Sequence, residues 1–192
     1  MKRLPLISAV LLLAISAICC GKEGVPPLSS ADIVPLKVAL EDFSKRPDSV
    51  QYNRDNPHAH VAIGPQTESA ADRTYNGMYY SFVAEELPSA GKSLVANLLL
   101  RNRECYVTKQ LDLPELGLRV DNQGVEEDLL ETRHSAVRTY VHVKAPGYSS
   151  DGHYALVWFQ FRWSMHGAYA MYLLARDGDA WVIRAYAFRY LV

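Results

Sequence analysis

From Tyr154 to Trp163 the side chains alternate with a period of two, and this run constrains the fold more than any other feature. One face carries Ala155, Val157, Phe159, Phe161 and Trp163; the other carries Tyr154, Leu156, Trp158, Gln160 and Arg162, becoming wetter towards its end. Such alternation specifies a β-strand, because successive Cβ atoms point to opposite faces of a sheet. A second strand is expected at Ala168–Arg176 and a third at Trp181–Tyr190, with Asp177-Gly178-Asp179 as the tight hairpin turn between them. Twelve of the chain's twenty aromatic residues fall between Tyr148 and Tyr190, which fits a twisted antiparallel β-meander with a packed core. Upstream, Val137–Lys144 alternates weakly, and Pro146–Gly152 reads as a turn.

The other end of the chain carries a different signal. Lys2 and Arg3 precede an uncharged run from Leu4 to Ile18. That run is shorter than the roughly 20 residues a spanning helix needs, so it reads as a secretory signal peptide over 1–19. Ala17-Ile18-Cys19-Cys20-Gly21 resembles a bacterial lipobox, with Cys20 favoured as the acylated residue; ordinary cleavage after Ala17 is the alternative. Residues 20–30, small and polar with Pro26 and Pro27, are expected to form a tether. If Cys20 is acylated, Cys105 is the only thiol left in the mature chain and no internal disulfide is possible. Cys105 lies in the strand-like stretch Arg103–Val107 and is expected to be a buried apolar side chain rather than a nucleophile.

The remaining 31–192 reads as a single α+β domain. Ile33, Leu36, Leu40 and Phe43 recur at helical spacing, giving a helix over 32–45 that Ser30 or Asp32 can cap and Pro47 closes. A short strand is expected near His60–Ile63 and another at Met78–Val83. Ser89 opens a second helix with an apolar face of Leu94, Val95, Leu98 and Leu99, stopping at Asn102. The expected architecture is N-terminal helices packed on a twisted antiparallel sheet that ends in the C-terminal meander. With 49% hydrophobic residues and a formal charge of −1, the composition excludes a disordered chain and argues against a nucleic-acid partner.

Catalytic and metal motifs are weak. Gly91-Lys92-Ser93 ends like a phosphate-binding loop, but Glu86 stands where that motif needs glycine, and its carboxylate would repel phosphate. His58 and His60 can share one side of an extended segment, yet no third ligand follows at defined spacing, so no metal and no cofactor is expected. The loop Ser164-Met165-His166-Gly167 mixes a hydroxyl, a thioether, an imidazole and a glycine, and His166 there should be exposed. The residues expected to line a ligand site are therefore His166, Trp163, Trp158 and Arg162, with no catalytic residue assigned.

Gly147-Tyr148-Ser149-Ser150-Asp151, Ala155-Leu156-Val157, Gly167, Tyr172-Leu173-Leu174 and Gly178…Trp181-Val182-Ile183 form a pattern of their own. Together with the helix end at Leu94–Asn102, that pattern resembles the C-terminal signature of a group of small exported bacterial proteins. The resemblance implies export and this fold, and it implies no activity. The expectation is an exported, lipid-anchored domain that binds a small ligand or another envelope protein without catalysis. The alternative is a hydrolase-type enzyme with its site near Ser164–Gly167.

Overall fold

The computed structural model describes residues 24–46, 59–68, 76–88, 91–125, 136–163 and 166–190. The signal segment, Cys20, His58, Ser89, Ser164 and Met165 lie outside the described residues. The described chain forms an α+β fold with a mixed seven-stranded sheet. Its helices are α1 (Ser30–Lys45), α2 (Asn76–Glu86) and α3 (Gly91–Arg101). Its strands are β1 (His60–Ile63), β2 (Leu118–Val120), β3 (Val137–Val143), β4 (Gly147–Tyr148), β5 (Tyr154–Trp163), β6 (His166–Asp177) and β7 (Ala180–Tyr190).

The order across the sheet is β2-β1-β3-β5-β6-β7, with β4 paired to β5. The meander β5-β6-β7 is antiparallel, in agreement with its alternation. The sheet as a whole is not: β1 runs parallel to both β2 and β3. Four residues buried along their whole length, His60-Val61-Ala62-Ile63, suit a strand enclosed by parallel neighbours. The β6–β7 turn is the two-residue Gly178-Asp179, closed by the pair Asp177–Ala180, and Gly178 supplies the positive φ of 60°.

The helix at 32–45 starts two residues earlier than expected, because Ser29 caps it. Asp32 N donates to Ser29 Oγ and Ser29 N donates to Asp32 Oδ2, a reciprocal capping box. Replacing Ser29 by alanine should lower the melting temperature by about 2–4 °C, the equivalent of about 1 kcal/mol for a capping residue. Pro35 lies inside α1 and cannot donate to Ala31 O. That carbonyl is met instead by the Tyr148 hydroxyl at 3.0 Å.

Two sets of buried side chains occupy the two faces of the meander. Leu36, Ala39, Leu40 and Phe43 of α1 share one cluster with Val157, Phe159, Phe161, Ala170 and Tyr172. Tyr79, Phe82 and Val83 of α2 and Leu94, Val95 and Leu98 of α3 share the other with Leu156, Trp158, Tyr169 and Met171. Met78–Val83, expected as a strand, is therefore helical. Tyr79, Phe82 and Val83 stand three and four apart and are buried, while Ser81, Ala84, Glu85 and Glu86 are exposed. Burial of that stripe outweighs the strand preference of its aromatic and branched residues.

The expected tether is docked from Pro26 onward. Val107 N donates to Pro26 O at 2.9 Å, Leu28 N donates to Val107 O at 3.2 Å, and the Leu28 side chain is buried. Cys105 is buried as expected, but its surroundings are irregular backbone with a single bridging residue at Val107 rather than a strand.

Candidate functional site

The structure separates the four residues expected to line a site. Alternation along β5 puts Trp158 and Arg162 on the face shared with α2 and α3, and Trp163 on the face shared with α1. Trp158 is core: it is 2% exposed, stacked on Tyr169 at 4.9 Å and edge-on to Tyr79 at 5.7 Å. Trp163 pairs across strands with His166, their rings 6.1 Å apart, and packs on Phe161 at 5.5 Å. His166 is exposed, as expected. His166 and Gly167 belong to β6 rather than to a loop, because the β5–β6 pairing continues to the Trp163–His166 pair.

A denser polar constellation lies on the other side of β5. On β3, Tyr140 and His142 stand opposite Arg162 and Gln160 of β5, and Lys144 N donates to Trp158 O. The period of two places Tyr140, His142 and Lys144 on one face. Tyr140 OH donates to Asp121 Oδ2 at 3.3 Å, and its ring lies 5.0 Å from that of His142. His142 Nδ1 is 3.5 Å from Glu68 Oε1, and Lys144 Nζ is 3.8 Å from Glu68 Oε2. The Lys144 ammonium also sits 4.6 Å over the Trp158 ring, a cation–π contact. Asp121, Tyr140, His142, Glu68, Lys144 and Trp158 thus form one continuous band. Asp121, Tyr140 and Lys144 are buried, and Glu68 is 36% exposed at the side chain, which makes it the most open member of its two ion pairs.

The band alternates donors and acceptors and brings a carboxylate between an imidazole and an ammonium. Its buried members are paired with one another, and Glu68 and His142 are the members through which a small polar molecule would meet it. Among the described residues, no group of three or more His, Cys, Asp or Glu side chains is placed to hold a metal ion. The sequence signal for this site was the weak alternation of Val137–Lys144, in which polar residues recur at 140, 142 and 144 on a face that packing alone would fill with apolar ones.

A second polar cluster has a structural task. Asp32, 1% exposed, accepts from Arg101 Nη2 at 2.9 Å and lies 3.0 Å from the Tyr148 hydroxyl, joining α1, α3 and β4. Burial, then the neighbouring Asp32 carboxylate, raises the Tyr148 phenol far above its ordinary 10.0. Burial and the charge of Asp42 do the same to Tyr172. Both protons are held by the folded chain and released by the unfolded one, so stability is complete below pH 10 and falls as the pH rises above it. Alkaline difference spectroscopy should place Tyr148 and Tyr172 among the phenols that ionise only with unfolding. Tyr148→Phe should lower the number of such phenols by one and cost about 1–2 kcal/mol, since it leaves the Ala31 carbonyl without its hydroxyl.

No family model, no curated protein and no solved structure matches the chain.

Proposed function

We propose that the protein is an exported cell-envelope protein, anchored through an acylated Cys20, that binds a small polar ligand along the Asp121–Trp158 band without chemically changing it. The N-terminal helices act as covers for the sheet, α1 on one face and the α2–α3 pair over part of the other. The observation that carries the reading is Lys144. The residue is 5% exposed, and its ammonium lies between the Glu68 carboxylate and the Trp158 ring. Burying a charge costs several kcal/mol unless attraction and hydrogen bonds offset it. A sheet face whose only task is packing has no use for one. Buried titratable clusters serve structure in some places, as at Asp32, and functional sites in others; the buried lysine is what supports the second reading here.

The test is a thermal-shift screen of small carboxylates, amino acids and sugars on the mature protein, repeated on His142→Ala, Lys144→Met and His166→Ala. The expected result is a compound that raises the melting temperature of the parent and of His166→Ala but has no effect on the two band variants. A compound that stabilises every variant except His166→Ala would move the site back to the Trp163/His166 end. Turnover of that compound would replace binding by catalysis.

A further inference from the structure

We propose that the end of the domain carrying the docked N-terminal segment lies against the lipid headgroup surface, with the Trp163/His166 hairpin turned away from it. This rests on the reading of Cys20 as the acylated residue. Six residue steps separate Cys20 from Pro26, and fully extended chain covers at most about 3.5 Å per step, so the anchor reaches only about 20 Å from Pro26. From Pro26 the backbone is fixed to Val107 and Leu28 is buried, so the next residues add no reach. A globular domain on so short a leash keeps one end at the membrane.

Three exposed apolar side chains lie at that same end, whereas Tyr186, also exposed, lies beside Arg46 at the far end of α1. Of the five large ones exposed among the described residues, Leu100 is 58%, Val34 47% and Val182 38% exposed. Leu100 precedes Arg101, which pairs with Asp32, two residues before Val34 in α1. Val182 follows Trp181, whose ring is 6.1 Å from that of Tyr148, and the Tyr148 hydroxyl reaches Ala31 O. Leu100 and Val34 therefore flank the start of α1, directly after the docked segment, and Val182 stands beside the β6–β7 turn at the same end of the sheet. From there α1 runs 16 residues, about 24 Å, to the opposite end, where Phe43 meets Phe161 and Phe188 beside the Trp163/His166 pair. Apolar side chains beside a lipid anchor gain from contact with the interface, and each adds to the binding of the acyl chains.

The experiment uses the acylated full-length protein in vesicles of phosphatidylethanolamine and phosphatidylglycerol, with a benzophenone amino acid replacing either Leu100 or His166. Illumination should give lipid adducts from position 100 and none from position 166. A long Gly/Ser insertion after Gly21 should abolish the adducts at position 100 by freeing the domain. Equal adducts at both positions, or adducts at 166 alone, overturn the orientation. The mass of the N-terminal peptide from the same sample separates the two failures. An acylated peptide with the wrong adduct pattern sinks only the orientation, and a peptide without acyl mass sinks the anchor and the orientation together.

Discussion

Gly147→Ala should be more damaging than alanine at any other glycine compared among the described residues, costing about 3 kcal/mol and lowering the melting temperature by roughly 6–12 °C. A Cβ at this position would stand 2.7 Å from both Leu98 Cβ and Leu98 N, and 2.8 Å from Leu94 O. Two of those three atoms are helix backbone, so no side-chain rotation relieves the clash. Helix α3 must lift off β4, and the bond from Tyr148 N to Asn97 Oδ1, 2.8 Å, goes with it. The measurement is thermal or urea unfolding. A loss below 1 kcal/mol would mean that α3 and β4 are not in this close contact. Gly178→Ala is the comparison: open space surrounds it, and only its positive φ opposes a side chain, which limits the cost to about 1 kcal/mol.

Asn102→Ala should cost about 3–5 kcal/mol, because each buried polar group left without a partner costs about 1–3 kcal/mol. The Asn102 side chain is fully buried. Its Nδ2 donates to Leu98 O at 2.8 Å and to Ala145 O at 2.7 Å, and its Oδ1 accepts from Ala145 N at 2.7 Å. The amide thus meets the Ala145 backbone as a neighbouring strand would, exchanging one donor and one acceptor. Asn102→Asp keeps the acceptor for Ala145 N but sets a carboxylate against two carbonyl oxygens. It should be as damaging as alanine at neutral pH and should recover in acid, where a protonated carboxyl donates again. Equal loss at both pH values would show that the amide's shape, not its hydrogen bonds, sets the cost.

The meander was legible because alternation survives where a strand has one set of residues for each side. Tyr154–Trp163 begins and ends where the pattern does. Three other elements were read differently, each for a physical reason. The Met78–Val83 segment has strand-forming residues but buries them at helical spacing, and only packing against α3 decides between the two. The parallel pairing of β1 depends on partners at Leu118–Val120 and Val137–Val143, too far along the chain for a local pattern to announce. The docked Pro26–Leu28 segment is composed like a linker, and its order comes from one bridging residue, Val107.

The four residues expected to line a site do not all share a face, for a simpler reason. Trp158, Arg162 and Trp163 are close in sequence, but an even separation shares a face and an odd one does not. Trp158 and Arg162 therefore look one way while Trp163 looks the other. The proposed band keeps Trp158 but draws Asp121, Glu68 and Lys144 from three separate segments, and no spacing rule connects those. The Gly147–Asp151 phrase, on which the resemblance to exported proteins leans, has structural work at nearly every position. Gly147 admits α3, Tyr148 closes α1, and Ser149 Oγ donates to Asp151 Oδ1 at 2.6 Å to shape the turn. That bond holds the Asp151 carboxyl below the usual range, so the turn loses its support as the pH falls into the acid range.

The parallel placement of β1 also orders events in time. β1 lies between two strands that are both made after it, and β3 begins only at Val137. Closing so long a stretch of chain is entropically slow, whereas the β5-β6-β7 hairpins need only their own short turns. A chain emerging N-terminus first, from a ribosome or through a membrane pore, would therefore present its earliest strand long before that strand has anywhere to go. A chain cut before Val137 would leave β1 with an unpaired edge open to whatever other strand it meets.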